Sequence, residues 1–203
     1  MLDVRSPPTL LDLAWPQSPV ARRVGLAAAV VFGVCLLTLS AKIKVPFWPV
    51  PMTMQTLVVL MLGMAYGSRL AAGTVFAYLL AGAAGLPVLA GTPERGIGLA
   101  YMIGPTGGFL VGFLAAAWVV GLLAERGWDR TFLKCAVAMV LGHLVISLSG
   151  VAWLAVLMGT AKAIDVGLMP FLASSALKTA LGAACMPVLW RIVGRTSAAQ
   201  EWR

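Results

Sequence analysis

The chain has 203 residues and a formal net charge of +8, with apolar side chains making up 61% of it and charged ones only 11%. Soluble domains run near half apolar and a quarter charged. Together with a mean hydropathy of +0.95, the balance excludes an ordinary water-soluble domain and reads as an all-α integral membrane protein.

The first stretch, 1–23, carries Pro7, Pro8 and Pro16 and lacks the ordered charged and apolar blocks of a cleavable signal. It is expected to be a cytoplasmic tail, with a short surface-lying helix around 10–15. Apolar runs follow at 24–40, 55–66, 70–86, 106–124, 132–158 and 168–190. A spanning helix takes about 20 apolar residues, so these runs predict six transmembrane helices in one membrane domain, 24–193, followed by a cytoplasmic C-terminal tail, 194–203. The second run is short, and Tyr66-Gly67-Ser68-Arg69 after it predicts a turn that brings a charge to the surface.

Basic residues set the orientation. In a six-span arrangement Arg5, Arg22, Arg23, Arg69, Arg126, Arg130, Lys134, Arg191, Arg195 and Arg203 share one side. Lys42, Lys44, Arg95 and Lys162 fall on the other, and Lys178 lies within the last span. Cytoplasmic loops carry the excess of Lys and Arg, so both termini are expected inside (N-in/C-in); the membrane itself is expected to be a bacterial inner, cytoplasmic one. The net charge is accounted for by insertion and anionic lipid head groups, with no nucleic-acid partner.

Along the first span Ala21, Gly25, Ala29 and Gly33 recur every four residues. Lipid provides no hydrophobic drive between helices, so a ridge of small side chains marks a face where another helix approaches closely. Docking of another membrane subunit is weighed there beside ordinary packing. Gly73, Ala77, Ala81 and Gly85 in the third span, and Gly108, Gly112 and Ala116 in the fourth, read as packing within the bundle. Cys35, Cys135 and Cys185 have no metal-ligand spacing and read as small core residues.

Two connections on the outer side are longer than simple turns. The first, 42–56, holds three prolines with Phe47 and Trp48 and suits a stiff lid folded over the bundle. The second, 85–108, is glycine-rich and runs through Gly104-Pro105-Thr106-Gly107-Gly108 into a helix N-terminus. Free amides at such an end favour an anionic or carbonyl group. Arg95 and Tyr101 lie on the same side.

The stretches "VPMTMQTLVVLMLGMAYGSRLA", "GLPVLAG", "YMIGPTGGFLVGF" and "PFLASSALKTALGAA" resemble, in this order and spacing, the BioY family, the biotin-specific S components of energy-coupling-factor transporters. The resemblance covers roughly 25–193. It implies a six-helix subunit that captures biotin from the outer side without a cofactor. Its implied partners are a transmembrane coupling subunit and cytoplasmic ATPases, and some members of the family act without them. It further implies docking through the first-helix ridge and substrate contacts at Thr53, Gln55, Gly91, the run containing Gly107, and Lys178. The acidic residue of the family's last helix falls at Ser175. A serine hydroxyl both donates and accepts.

Biotin presents a ureido ring, an apolar thioether bicycle and a carboxylate. Lys178, Ser175, Gln55, Thr53 and Arg95, with Tyr101 nearby, form the mostly apolar, sparsely polar set that small-molecule sites use, and either Arg95 or Lys178 is expected at the carboxylate. Lys178 lies about 15 Å along the helix from either end of its span, and a charge at that depth costs about 2.5–3.5 kcal/mol on insertion scales. A ligand contact explains it better than a structural role. His143 is read instead as an interhelical hydrogen-bonding group, outside the site.

Three other functions are weighed. An S component for a different vitamin and a self-sufficient biotin carrier are separated from the first reading by binding and uptake. An intramembrane serine protease would need Ser147 with His143, which stand one turn apart on one helix, and no Gly-x-Ser-Gly nucleophile turn occurs. The sequence also holds no phosphate-cradling Gly-x-x-x-x-Gly-Lys-Ser/Thr loop, so the chain is not expected to be an enzyme.

Overall fold

The computed structural model describes residues 9–11, 18–45, 50, 52–91 and 98–201. In chain order the elements are α1 (Pro19–Lys42), β1 (Lys44–Val45), β2 (Met52–Thr53), α2 (Gln55–Ala83), α3 (Leu99–Ile103), α4 (Gly107–Ala124), α5 (Phe132–Met158), α6 (Thr160–Gly167) and α7 (Met169–Glu201).

A straight helix as long as α2 would span about 43 Å, yet Gln55 Nε2 lies 2.6 Å from Tyr78 Oη. The chain therefore reverses inside α2. It does so at Gly67, where φ is 76° and ψ is 174°, a backbone region essentially reserved for glycine. Glu125, just beyond the end of α4, secures the reversal by accepting from both Ser68 N and Ser68 Oγ at 2.7 Å. A carboxylate suits the positive end of the second arm. Five stretches are long and apolar enough to cross a membrane; with α2 folded into arms 55–66 and 68–83, the crossings number six, as expected.

The hairpin of α2 packs on α1 and α4, α4 packs on α5, and α5 packs on α7. Leu60, Met64, Val75, Val120, Met139 and Met186 are essentially inaccessible between them. The outward faces are apolar too, with Val31, Phe32, Leu133, Leu148, Val156 and Leu177 exposed, as a lipid-facing multi-pass bundle requires.

Hydrogen bonds define two ends. At one, Leu11 N donates to Ala65 O at 3.2 Å, Glu125 holds Ser68, and Trp190 Nε1 donates to Asp129 Oδ2 at 2.6 Å. The start of α1 and Arg22, Arg69, Arg130 and Arg191 belong here. At the other, Lys42 Nζ donates to Leu89 O at 2.9 Å and Trp153 Nε1 to Gly104 O at 2.9 Å. The described parts of the two long connections lie at this second end.

Several expectations change. Helix α1 begins at Pro19 rather than at 24, because proline is favoured in a first turn. Helix α7 continues through Pro187 to Glu201, into the stretch expected to be a tail. Short α3 and α6 stand where loops were expected; α6 buries Ala163 and Gly167 and exposes Lys162 and Asp165. Most of 10–15, the expected surface helix, lies outside the described residues.

The small-residue ridges differ in what they pack against. Ala29 and Gly33 are buried in the protein's own bundle: Tyr66 Oη donates to Ala29 O at 3.0 Å, and a Cβ at Gly33 would stand 2.5 Å from Thr74 Cγ2. Ala21 and Gly25 are half-buried. The four-residue spacing puts all four on one face, and α2 occupies that face at Ala29 and Gly33. Gly73 shows the reverse: it is exposed with open space around it, and its helix packs instead through Thr74, Val75, Tyr78 and Gly82. Gly112 does pack as expected, with a Cβ there 2.9 Å from Ile146 Cα. Cys135 is buried, but Cys35 is exposed and is not a core residue.

Candidate functional site

Helical periodicity gives α7 a narrow buried face of Lys178, Thr179, Gly182, Ala183 and Met186, with half-buried Ser175 one turn before it. Lys178 is only 6% exposed. Its Nζ donates to Thr53 O at 2.7 Å and to Thr56 Oγ1 at 3.1 Å. The loop reaches down to it because β2 pairs antiparallel with β1, Thr53 opposite Lys44 and Met52 opposite Val45, folding the connection back over the bundle. Both described partners are neutral, and an ammonium has three donors, so one N–H is left unused among the described residues.

Behind this contact lies a narrow cavity of about 50 Å³. Its apolar wall comes from Val50, Ala90, Tyr101, Phe109, Leu110, Phe113, Ile146 and Phe171. Its polar wall comes from Thr53, Gln55, Thr56, Thr106, His143, Ser147, Ser175 and Lys178. Phe109 and Phe171 stack obliquely, with centroids 6.0 Å apart. Such a mostly apolar pocket with a few fixed polar groups suits a small amphipathic molecule.

The polar side is pre-set by a relay. Tyr78 Oη donates to Val88 O at 3.0 Å and so accepts from Gln55 Nε2, which orients the amide with Oε1 turned away from Tyr78. Tyr78 is fully buried and ties both arms of α2 to the second long connection.

Of the residues expected at the site, Lys178, Ser175, Thr53, Gln55 and Tyr101 come together around one cavity, from sequence positions more than a hundred residues apart. Gly91 supports the wall from behind, since a Cβ there would stand 2.6 Å from Tyr101 Cδ2. Gly107 does not line the cavity. It opens α4 against Met102 O and the Trp153 ring, and Thr106 beside it is the lining residue. Arg95, Phe47 and Trp48 lie outside the described residues; Val50, from the same proline-rich connection, does reach the cavity.

Sequence reasoning missed His143, Thr56, Thr106, Ser147 and the aromatic wall. Phe109 and Phe113 were legible as neighbours one turn apart on α4, and His143 and Ser147 likewise on α5. The interhelical contact expected for His143 is present, with Nδ1 3.2 Å from Thr179 Oγ1 and 3.0 Å from Met139 O, but the same ring also lines the cavity. Among the described residues no group of His, Cys, Asp or Glu could hold a metal ion.

Comparison with known proteins gives a consistent result. A model of the BioY family matches residues 15–195. The chain is 39% identical over 167 residues to a biotin transporter BioY of Rhizobium etli, covering 78% of this chain and 86% of that protein. It is 36% identical over 160 residues to a probable biotin transporter BioY of Pyrococcus horikoshii, covering 79% and 91%. Its fold is similar to the crystal structure of an S-component for biotin from an ECF-type ABC transporter, with a TM-score of 0.70 at 21% identity over 87% of this chain and 95% of that one.

Proposed function

Because the chain belongs to the BioY family, we propose that it captures biotin in the cavity beneath the two long connections and delivers it for uptake as the S component of an energy-coupling-factor transporter. The observation that carries this reading is Lys178, a buried cation in an otherwise neutral described wall, with one donor left over. Phe109, Phe113 and Phe171 offer an apolar face to the bicycle, and the ureido group and carboxylate need the donors and acceptors that the opposite wall supplies. Lys178 or Arg95 meets the carboxylate.

The end bearing Arg22, Arg69, Arg130 and Arg191 faces the cytoplasm under the positive-inside rule, which opens the cavity to the outer side of the cytoplasmic membrane. The chain acts as a carrier without a cofactor and not as an enzyme, and a transmembrane coupling subunit with cytoplasmic ATPases supplies the energy.

Purified protein offered a panel of vitamins tests the substrate: biotin at sub-micromolar concentration should co-purify and raise the melting temperature. Stabilisation by a different vitamin and not by biotin would overturn the assignment. Biotin uptake in cells with and without the coupling subunits separates an S component from a self-sufficient carrier.

A further inference from the structure

His143 is 6% exposed, lines the cavity, and has no hydrogen-bond partner at Nε2 among the described residues. A packing role accounts for its other nitrogen only. Nδ1 lies 3.0 Å from Met139 O, and a carbonyl oxygen can only accept, so Nδ1 carries the proton. The neutral ring then leaves Nε2 a buried acceptor with no partner among the described residues. Thr179, the residue after Lys178, touches the ring at Nδ1 from α7, which fixes the imidazole against the same face that carries Ser175 and Lys178.

The described polar wall is poor in acceptors. Lys178 only donates, the threonine and serine hydroxyls both donate and accept, and no carboxylate lines the cavity among the described residues. A ureido ring brings two N–H donors that lose water on entering such a pocket, and a buried donor left unpaired is costly.

We propose that His143 is a substrate contact, its Nε2 accepting a hydrogen bond from a ureido N–H of biotin. The inference rests on the biotin reading above and adds the group that receives the ring's proton-bearing edge. Gln55 Oε1 is the second pure acceptor in the wall.

The test compares wild type, His143→Leu and His143→Gln in lipid nanodiscs, titrated with biotin and with biotin methylated on a ureido nitrogen. His143→Leu should weaken biotin binding about tenfold or more, and His143→Gln, which offers an amide oxygen, should recover most of it. Wild type should discriminate against the methylated ligand, and His143→Leu should lose that discrimination. Melting curves without ligand check that each variant is folded. Unchanged affinity in His143→Leu overturns the proposal and leaves the biotin reading standing. So does a loss that His143→Gln fails to recover while discrimination against the methylated ligand persists, because that assigns the ring to packing. Wild type that binds no biotin overturns both.

Discussion

The ammonium of Lys178 stands 2.7 Å from the carbonyl oxygen of Thr53, a residue 125 positions earlier in the chain. One contact joins the last helix to the loop that covers the cavity. It explains how a charge is kept at mid-span: the loop backbone descends to meet it, so the lysine need not snorkel to the interface.

Lys178→Met keeps the apolar stem and removes the cation. A hydrogen bond to a charged group contributes about 1.5–3 kcal/mol, so biotin affinity should fall about 10- to 100-fold in a calorimetric titration while the protein still inserts and folds. Unchanged affinity would remove Lys178 from the site.

Gly67→Ala places a side chain at φ 76°, with its Cβ 2.9 Å from Glu125 Oε1. Backbone strain of this kind costs about 1–3 kcal/mol, and the carboxylate that secures the reversal is pushed aside. The melting temperature should drop clearly. An unaltered melting curve would mean that the reversal is held elsewhere.

Ala29→Leu and Gly33→Leu test the role of the first-helix ridge. Both insert bulk where α2 already packs, which typically costs about 1–3 kcal/mol. Thermal stability, biotin binding and assembly should all decline together. Loss of assembly with stability and binding intact would restore the ridge as a docking face.

Asp129, in the connection between α4 and α5, carries a pH prediction. Burial pushes its carboxyl above the usual aspartate range, and the Trp190 hydrogen bond and the Arg130 charge pull it partly back. A folded-state value above the unfolded one means that the folded protein holds the proton more tightly. The contribution is full below the ordinary aspartate value of about 3.9 and is lost as pH rises through the raised folded value. Asp129→Asn keeps an oxygen for Trp190 Nε1 and cannot titrate, so it should flatten the fall in melting temperature across that window. An identical slope in wild type and variant would show that Asp129 does not cause it.

Much of the fold was legible because lipid imposes it. Six apolar runs with a Gly-Ser-Arg interruption at 67–69 were enough to give six crossings, the reversal inside α2 included, and the buried lysine marked the cavity's face of α7. The ridge at Ala29 and Gly33 was legible as a close-approach face, but its neighbour was not: the same spacing serves an external helix and an internal one equally well. His143 was legible as a hydrogen-bonding group, and the second nitrogen became informative only once Met139 O and Thr179 had used the first.

The sequence by itself determined that the chain is a helical membrane protein, where it crosses, and that Lys178 needs a partner, since hydropathy and the cost of burying charge are properties of residues and short segments. The tertiary structure alone decided which groups meet: Thr53 with Lys178, Gln55 with Tyr78, His143 with the wall that holds Ser175. Those contacts depend on which way each helix is rotated about its axis, and in lipid that rotation is set by close packing against neighbours rather than by any difference between an apolar core and an apolar solvent.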